Sequence, residues 1–223
     1  MKLYDFPMWE QMQESELVEL LDIVTVQTFQ TQELLFRPGD DPNRLYLLYH
    51  GQVKTYVLSP QGHEKIMHIF SPGDAFGGLL LGVVGEGLPW AKAMSDVVVC
   101  IMGETGFKSF MQRCPNLCLA LFRYMTAHHV QDMERLERIL HTKASHRVVL
   151  TLLDLGHRLG YGDEEIFPIH PFTHEDIGNM IGVVRNTVTE VISQLRQVGV
   201  VSGRGAKMVV RRAVAEEYLQ NDG

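Results

Sequence analysis

The spacing of apolar and polar positions changes character near residue 107 of this 223-residue chain. Before that point, short apolar runs are separated by glycine, proline and aspartate. Residues 33–40 read as a strand and a turn. Residues 44–57 read as a strand, a kink at Gly51 and a second strand. Residues 64–70 read as another strand, ending at Ser71-Pro72-Gly73-Asp74, and residues 92–101 close the series. Short strands at regular intervals with turn signals between them predict a small antiparallel barrel or sandwich. Residues 17–23 read as a helix leading into it.

From Phe107 the period becomes helical. Residues 115–141 contain one proline, at their start, and no glycine. Phe122, Met125, His129, Asp132, Leu136 and Ile139 follow a 3,4 spacing, which is a short heptad seam with a polar centre. Leu121, Tyr124, Met133 and Leu140 make neighbouring faces apolar too. The pattern predicts a long helix that packs on its own barrel and pairs with its twin in a homodimer. Residues 142–145 break it, and residues 146–159 read as a helix with Val148, Val149, Leu152 and Leu155 inward. A domain boundary is expected near residue 141.

Residues 172–199 read as helix, tight turn, helix. Thr173 is a good N-cap and Asp176 stands three residues on, as a capping box requires. Ile177 and Ile181 are one turn apart on a buried face, and Gly182 supplies the turn. Val184, Val188, Val191, Ile192 and Leu195 mark the apolar face of the second helix. Its other face carries Arg185, Asn186, Thr189, Glu190 and Ser193, side chains able to reach base edges in a major groove. Residues 198–201 start a strand, residues 202–207 form a turn with Arg204 and Lys207, and residues 208–210 return as a second strand. A basic two-stranded wing after such a helix pair predicts contact with double-stranded DNA. The expected contact set is Thr173, Arg185, Asn186, Thr187, Thr189, Glu190, Ser193, Arg204 and Lys207.

Charge at first looks wrong for that partner, since the formal net charge is −7. Its distribution answers the objection. Residues 185–212 hold Arg185, Arg196, Arg204, Lys207, Arg211 and Arg212 against the single acid Glu190. A local basic face suffices for phosphate contact. Hydrophobic residues make up 45% of the chain, enough for two modest cores. The longest apolar run, residues 79–84, is far too short to cross a bilayer, and residues 1–10 show no signal pattern. A cytoplasmic protein with no membrane contact is expected. Cys100, Cys114 and Cys118 are odd in number and read as buried free thiols.

Taken in order, these motifs resemble the CRP/FNR family of bacterial transcription regulators, the group of the catabolite activator protein. Pro38-Gly39-Asp40, residues 46–51 and Pro72-Gly73-Asp74-Ala75-Phe76-Gly77 look like the corners of its β-roll. Residues 107–141 look like its dimerisation helix and residues 173–201 like its helix-turn-helix. The resemblance implies an α+β architecture. It consists of a jelly-roll-like β-roll of the cyclic-nucleotide-binding type (1–106), a long dimerisation helix (107–141) and a winged helix-turn-helix (142–223). It also implies RNA polymerase as a partner.

The effector the resemblance would imply is not supported residue by residue. Cyclic-nucleotide-binding members have Gly-Glu-Leu where this chain has Gly77-Gly78-Leu79. They have an Arg-Ser pair where Gly87-Leu88 stands, and Thr-Ser on the long helix where Asp132-Met133 stands. A buried phosphate without its arginine forfeits a bidentate charge-assisted contact, so cyclic AMP is disfavoured. Iron–sulfur members carry N-terminal cysteines, and residues 1–31 have none. The remaining effector candidates are Gly77, Gly78, Leu79, Lys92, His128, His129 and Asp132. Helix-start amides with one cation could hold a small anion. Alternatively Leu79, Leu80 and Leu81 fill the space and no ligand is needed. A haem- or redox-sensing member is a further alternative. His128 and His129 diverge by about 100° around a helix, so one pocket is expected to receive only one of them. His63 and His68 are expected on a hairpin surface. A metal-dependent barrel enzyme is disfavoured, because His63-Glu64 and His68 lack the His-x-His strand pair that chemistry needs.

Overall fold

The computed structural model describes residues 22–81, 88–141 and 143–221. Most of the segment expected as a leading helix, and the end of the apolar run at 79–84, lie outside them. Contacts divide the chain into two units. One holds the residues up to Val57 together with Met67–Met133, and the other holds Leu58–Ile66 together with the residues from Glu134 on.

Two four-stranded antiparallel sheets build the first unit. Strands β1 (Thr25–Phe29), β3 (Arg44–His50), β6 (Ala75–Phe76) and β8 (Val97–Gly103) form one, in the order β1-β8-β3-β6. Strands β2 (Leu34–Phe36), β4 (Val53–Leu58), β5 (Glu64–Phe70) and β7 (Trp90–Ala93) form the other, in the order β2-β7-β4-β5. Strand β8 is central. Successive side chains on a strand point to opposite faces, and β8 buries both. Val97, Val99 and Ile101 join Tyr46, Leu48, Phe36 and Val53 in one core cluster. Cys100 and Met102 join Leu45, Leu47 and Phe110 in another. That is why β8 reads as a continuous apolar run rather than an alternating one.

Residues 92–101, expected as one closing segment, are parts of two strands. Between β7 and β8 the chain turns at Asp96, whose carboxylate accepts from the Thr31 backbone N–H and hydroxyl, both at 3.0 Å. Strand β1 had no sequence signal, because its TVQTF alternation is mostly exposed.

A single helical turn, α1 (Gly78–Leu81), follows β6. Helix α2 (Glu104–Arg113) and helix α3 (Pro115–His141) replace the one long helix expected from Phe107. The break falls at Cys114, at φ −120° and ψ 75°. Proline disfavours helical dihedrals in the preceding residue and cannot donate to the preceding turn, so α3 starts afresh at Pro115. Phe110, Cys114 and Leu121 bury against the first sheet. Tyr124 fixes α3 more specifically. Its hydroxyl donates to the Ala75 carbonyl at 2.9 Å and accepts the Ala75 N–H at 3.0 Å.

The second unit contains α4 (Ala144–Arg158), β9 (Ile166–Pro168), α5 (His174–Ile181), α6 (Arg185–Gln197), β10 (Val201–Ser202), β11 (Val209–Arg211) and α7 (Arg212–Asn221). Val148, Val149, Leu152 and Leu155 of α4 are buried as the periodicity predicts, and α4 packs on α5, α6 and α7. The expected two-stranded wing is three-stranded, in the order β10-β11-β9. Strand β9 and helix α7 were not anticipated. A three-residue strand containing proline carries almost no local signal.

Candidate nucleic-acid interface and effector cavity

Local chemistry sets the helix pair. The Thr173 hydroxyl accepts the Asp176 N–H at 3.1 Å, and the Asp176 carboxylate accepts the Thr173 N–H at 3.0 Å, so the predicted capping box forms. Gly182 ends α5 in the left-handed region, at φ 73° and ψ 32°, where a side chain would be strained. Val188, Val191, Ile192 and Leu195 of α6 are buried. Val184 departs from the predicted apolar face and is 70% exposed. It is the N-cap of α6, in extended backbone with no side-chain cap. A residue before the first helical turn is not bound by the helix period, so its spacing was misleading.

Arg185, Asn186, Glu190 and Ser193 are exposed, and Thr187 is half-buried. Thr189 is exposed, but its hydroxyl is already used. It donates to the Arg185 carbonyl and meets His174 Nδ1, each at 3.0 Å. With its one proton given to the carbonyl, the hydroxyl accepts from an Nδ1–H imidazole. Thr189 therefore ties α6 to α5 through His174, a residue the sequence reading missed. Burial first, then the Arg185 and Arg196 guanidinium charges, hold the His174 pKa below its ordinary value.

Not all six cations face the same way. Arg212 donates from Nε to the Glu164 carbonyl at 3.0 Å and from Nη2 to the Tyr161 carbonyl at 2.7 Å. Its guanidinium lies 5.0 Å from the Phe167 ring centroid. It is a structural clamp, and the basic face is smaller by that charge. Arg196, Arg204 and Arg211 instead line a depression of about 420 Å³ at the wing, with Gly199, Val201, Ser202 and Gly203. Arg196 Nη2 donates to the Gly203 carbonyl at 3.1 Å, while its buried Nε has no partner. Lys207 stands exposed on the wing turn.

Within the first unit lies a cavity of about 420 Å³. It is lined by Thr55, Val57, Met67, His68, Phe70, Ala75, Phe76, Gly77, Pro89, Tyr124, Met125, His128, His129 and Asp132. Gly77, His128, His129 and Asp132 of the expected set are brought together there. Gly78, Leu79 and Lys92 are not among the lining residues. Leu79 packs on the Leu45 and Phe110 cluster, and Lys92 lies over the Tyr56 ring, 5.2 Å from its centroid. A Cβ at Gly78 would stand 2.1 Å from the Pro42 carbonyl oxygen, and one at Gly77 would stand 2.4 Å from that of Arg44. Close backbone packing therefore accounts for both glycines.

Two expectations about histidine are corrected. Both His128 and His129 line the cavity, which is wide enough for residues about 100° apart to flank it. The His128 ring lies 4.3 Å from that of Tyr124 between centroids, tilted by 56°, and His129 is exposed. His68 is in the cavity rather than on a hairpin surface. It shares a strand face with Phe70, its ring 5.8 Å away, and its Nδ1 is 3.7 Å from Asp132 Oδ1. Cys100 and Cys114 are buried thiols outside any disulfide, and burial pushes the Cys100 thiol up in pKa. The side chain of Cys118 lies outside the described residues, as do those of Leu136 and Ile139. Among the described residues, no cluster of three or more His, Cys, Asp or Glu could hold a metal.

A capped helix pair with an exposed polar face, followed by an arginine-lined wing, defines a DNA-binding module joined to a β-roll. Comparison with known proteins agrees on both parts. Residues 26–114 match the cyclic nucleotide-binding domain, and residues 146–215 match the Crp-like helix-turn-helix domain. The anaerobic regulatory protein of Pasteurella multocida is 27% identical over 207 residues, covering 91% of this chain and 74% of that protein. The CRP-like cAMP-activated global transcriptional regulator of Mycobacterium tuberculosis is 25% identical over 177 residues, 79% of each. The solved structure of FixK2 from Bradyrhizobium japonicum shares the fold at a TM-score of 0.74, with 23% identity over 89% of this chain and 96% of that one. The chain belongs to the CRP/FNR family of transcription regulators, and its relatives there are regulators rather than enzymes.

Two predictions follow from the helix pair. Val184→Ser supplies the missing cap and is expected to stabilise the protein by about 1 kcal/mol, read as a higher chemical-denaturation midpoint with an unchanged slope. For His174, the folded pKa lies below the unfolded value of about 6.5. Its stabilisation is therefore complete above that pH and lost as the pH falls through the folded value. Stability measured against pH should fall less steeply below about 6.5 in His174→Gln than in the unaltered protein; parallel curves would refute the assignment.

Proposed function

We propose that this chain is a sequence-specific DNA reader that binds a two-fold symmetric site as a homodimer and acts with RNA polymerase in the bacterial cytoplasm. The observation that carries the DNA reading is the exposed first turn of α6 beside the arginine-lined wing. Arg185 suits a bidentate contact to guanine and Asn186 one to adenine. Members of the catabolite type, in the family resemblance, have Arg-Glu here and a second arginine at the position of Glu190. An acid cannot donate to guanine, so the half-site differs from theirs. Glu190 can accept from cytosine N4 or orient Arg185. Ser193 extends the same exposed face, while Thr173, expected among the contacts, spends both its N–H and its hydroxyl proton on Asp176. Arg204 and Lys207 meet backbone phosphate, with Arg196 and Arg211 completing that contact.

The dimer reading is carried by α3. Phe122 is 67% exposed, and Leu119, Met125, Val130 and Met133 are each 45–50% exposed. So much apolar surface on one helix calls for a partner, and the heptad spacing names a second copy of the same helix. Among the described residues no helix is long and apolar enough to cross a membrane.

Selection from random duplexes with ligand-free protein tests the reading. A two-fold symmetric consensus is expected. Arg185→Ala should cost about 1–3 kcal/mol and relax one base position. Arg204→Ala or Lys207→Ala should weaken all sequences alike and flatten the salt dependence. Unchanged selection by Arg185→Ala would sink its assignment. Phe122→Asp, at an exposed position, should leave the protein folded but halve its mass in light scattering and weaken binding to the full site. A dimer that survives this change would refute the seam.

A further inference from the structure

We propose that the cavity beside α3 binds a small uncharged aromatic molecule carrying a hydroxyl group, a phenol or naphthol, rather than a cyclic nucleotide. Its walls are apolar and flat. Phe70 and Phe76 stack with centroids 4.7 Å apart at 18°, and Met67 and Met125 border the space they face. A volume of about 420 Å³ is at the small end for ligand pockets and suits one or two rings.

Thr55 points to a hydroxyl-bearing ligand. It is 2% exposed and lines the cavity, and its hydroxyl makes no hydrogen bond. Only its backbone is committed, in the pairing with Ala91 of β7. A buried hydroxyl without a partner destabilises the protein, and valine would fill the same place without that cost. A ligand hydroxyl hydrogen-bonded to Thr55 accounts for its presence.

Charge excludes a phosphate. Among the described residues no lysine or arginine lines the cavity, and the sequence of residues 82–87 contains none. The carboxylate of Asp132 does line it, 3.7 Å from His68. A phosphodiester would lose water with no guanidinium to replace it and would meet a like charge. The imidazoles of His68, His128 and His129 can donate and accept, which suits a neutral hydroxyl. Met125 and His129 belong both to this lining and to the proposed dimer seam, so occupancy and pairing share side chains.

The assignment rests on the cavity and not on DNA binding. A chain that bound naphthol and selected no duplex would lose the DNA reading and keep this one. The test is titration of the dialysed full chain with 2-naphthol, naphthalene, benzoate and cyclic AMP, followed by calorimetry and thermal unfolding. Naphthol should bind and raise the unfolding temperature, with methionine-methyl NMR shifts at Met67 and Met125 and none at Met208. Benzoate and cyclic AMP should do neither. Thr55→Val should unfold at an equal or higher temperature, lose roughly tenfold in naphthol affinity and keep its affinity for naphthalene. Thr55→Ser, which keeps the hydroxyl, should bind naphthol as the unaltered chain does and covers the case of a valine variant that misfolds. Binding of cyclic AMP in preference to naphthol would overturn the proposal. So would no naphthol response at saturation, or naphthol affinity unchanged in a folded Thr55→Val.

Discussion

Strand β8 has to bury both of its faces at once. One side packs across to the second sheet through Val97, Val99 and Ile101, and the other packs on α2 and α3 through Cys100 and Met102. A sheet covered on both sides cannot slip by one residue, because every side chain would exchange its environment. With β8 fixed, β1 and β3 have fixed edges to pair with, and α3 has a fixed surface to lie on. Tyr124 then sets the depth of α3 against Ala75, the first residue of β6. The cavity is what remains between that helix and the strands. Gly77 and Pro89, which lie between elements, complete its lining.

The same cavity separates what the scaffold requires from what a ligand would require. Gly77 is explained by backbone contact with Arg44, with no need of a phosphate, and Gly78, which stands where cyclic-nucleotide-binding members carry Glu, lies too close to the Pro42 carbonyl for a side chain. The side chains that would specify a cyclic nucleotide belong to a different layer of the structure and are free to change. In this sequence Gly78, Gly87-Leu88 and Asp132-Met133 stand at those positions. The fold is held by the core, and the chemistry of the cavity is set by a few lining positions.

In the second unit, charge alone is a poor guide to contact. Arg212 counts toward the basic stretch but spends its guanidinium on two carbonyls and a ring. Thr189 faces solvent, yet its hydroxyl is shared between His174 and the Arg185 carbonyl. That bond couples the geometry of both helices to one imidazole. Under the proposed DNA reading, what is left for contact is a narrower set than the sequence suggests, centred on Arg185, Asn186 and the arginines that line the wing depression.

The sequence by itself determined what depends on near neighbours along the chain. The Thr173–Asp176 cap, the turn at Gly182, the buried faces of α4 and α6 and the Gly-punctuated strands are all set within a few residues, so local reading found them. The break before Pro115 was missed, because the helical period ran on through it and one long helix was expected from Phe107. Only the tertiary structure decided the rest. Strand β1 exists because β8 offers it an edge, and β9 exists because β11 does. His68 enters the cavity, Thr55 lacks a partner and Arg212 is withdrawn from the basic face. Each of these depends on atoms tens of residues away in sequence, and no periodicity carries that information.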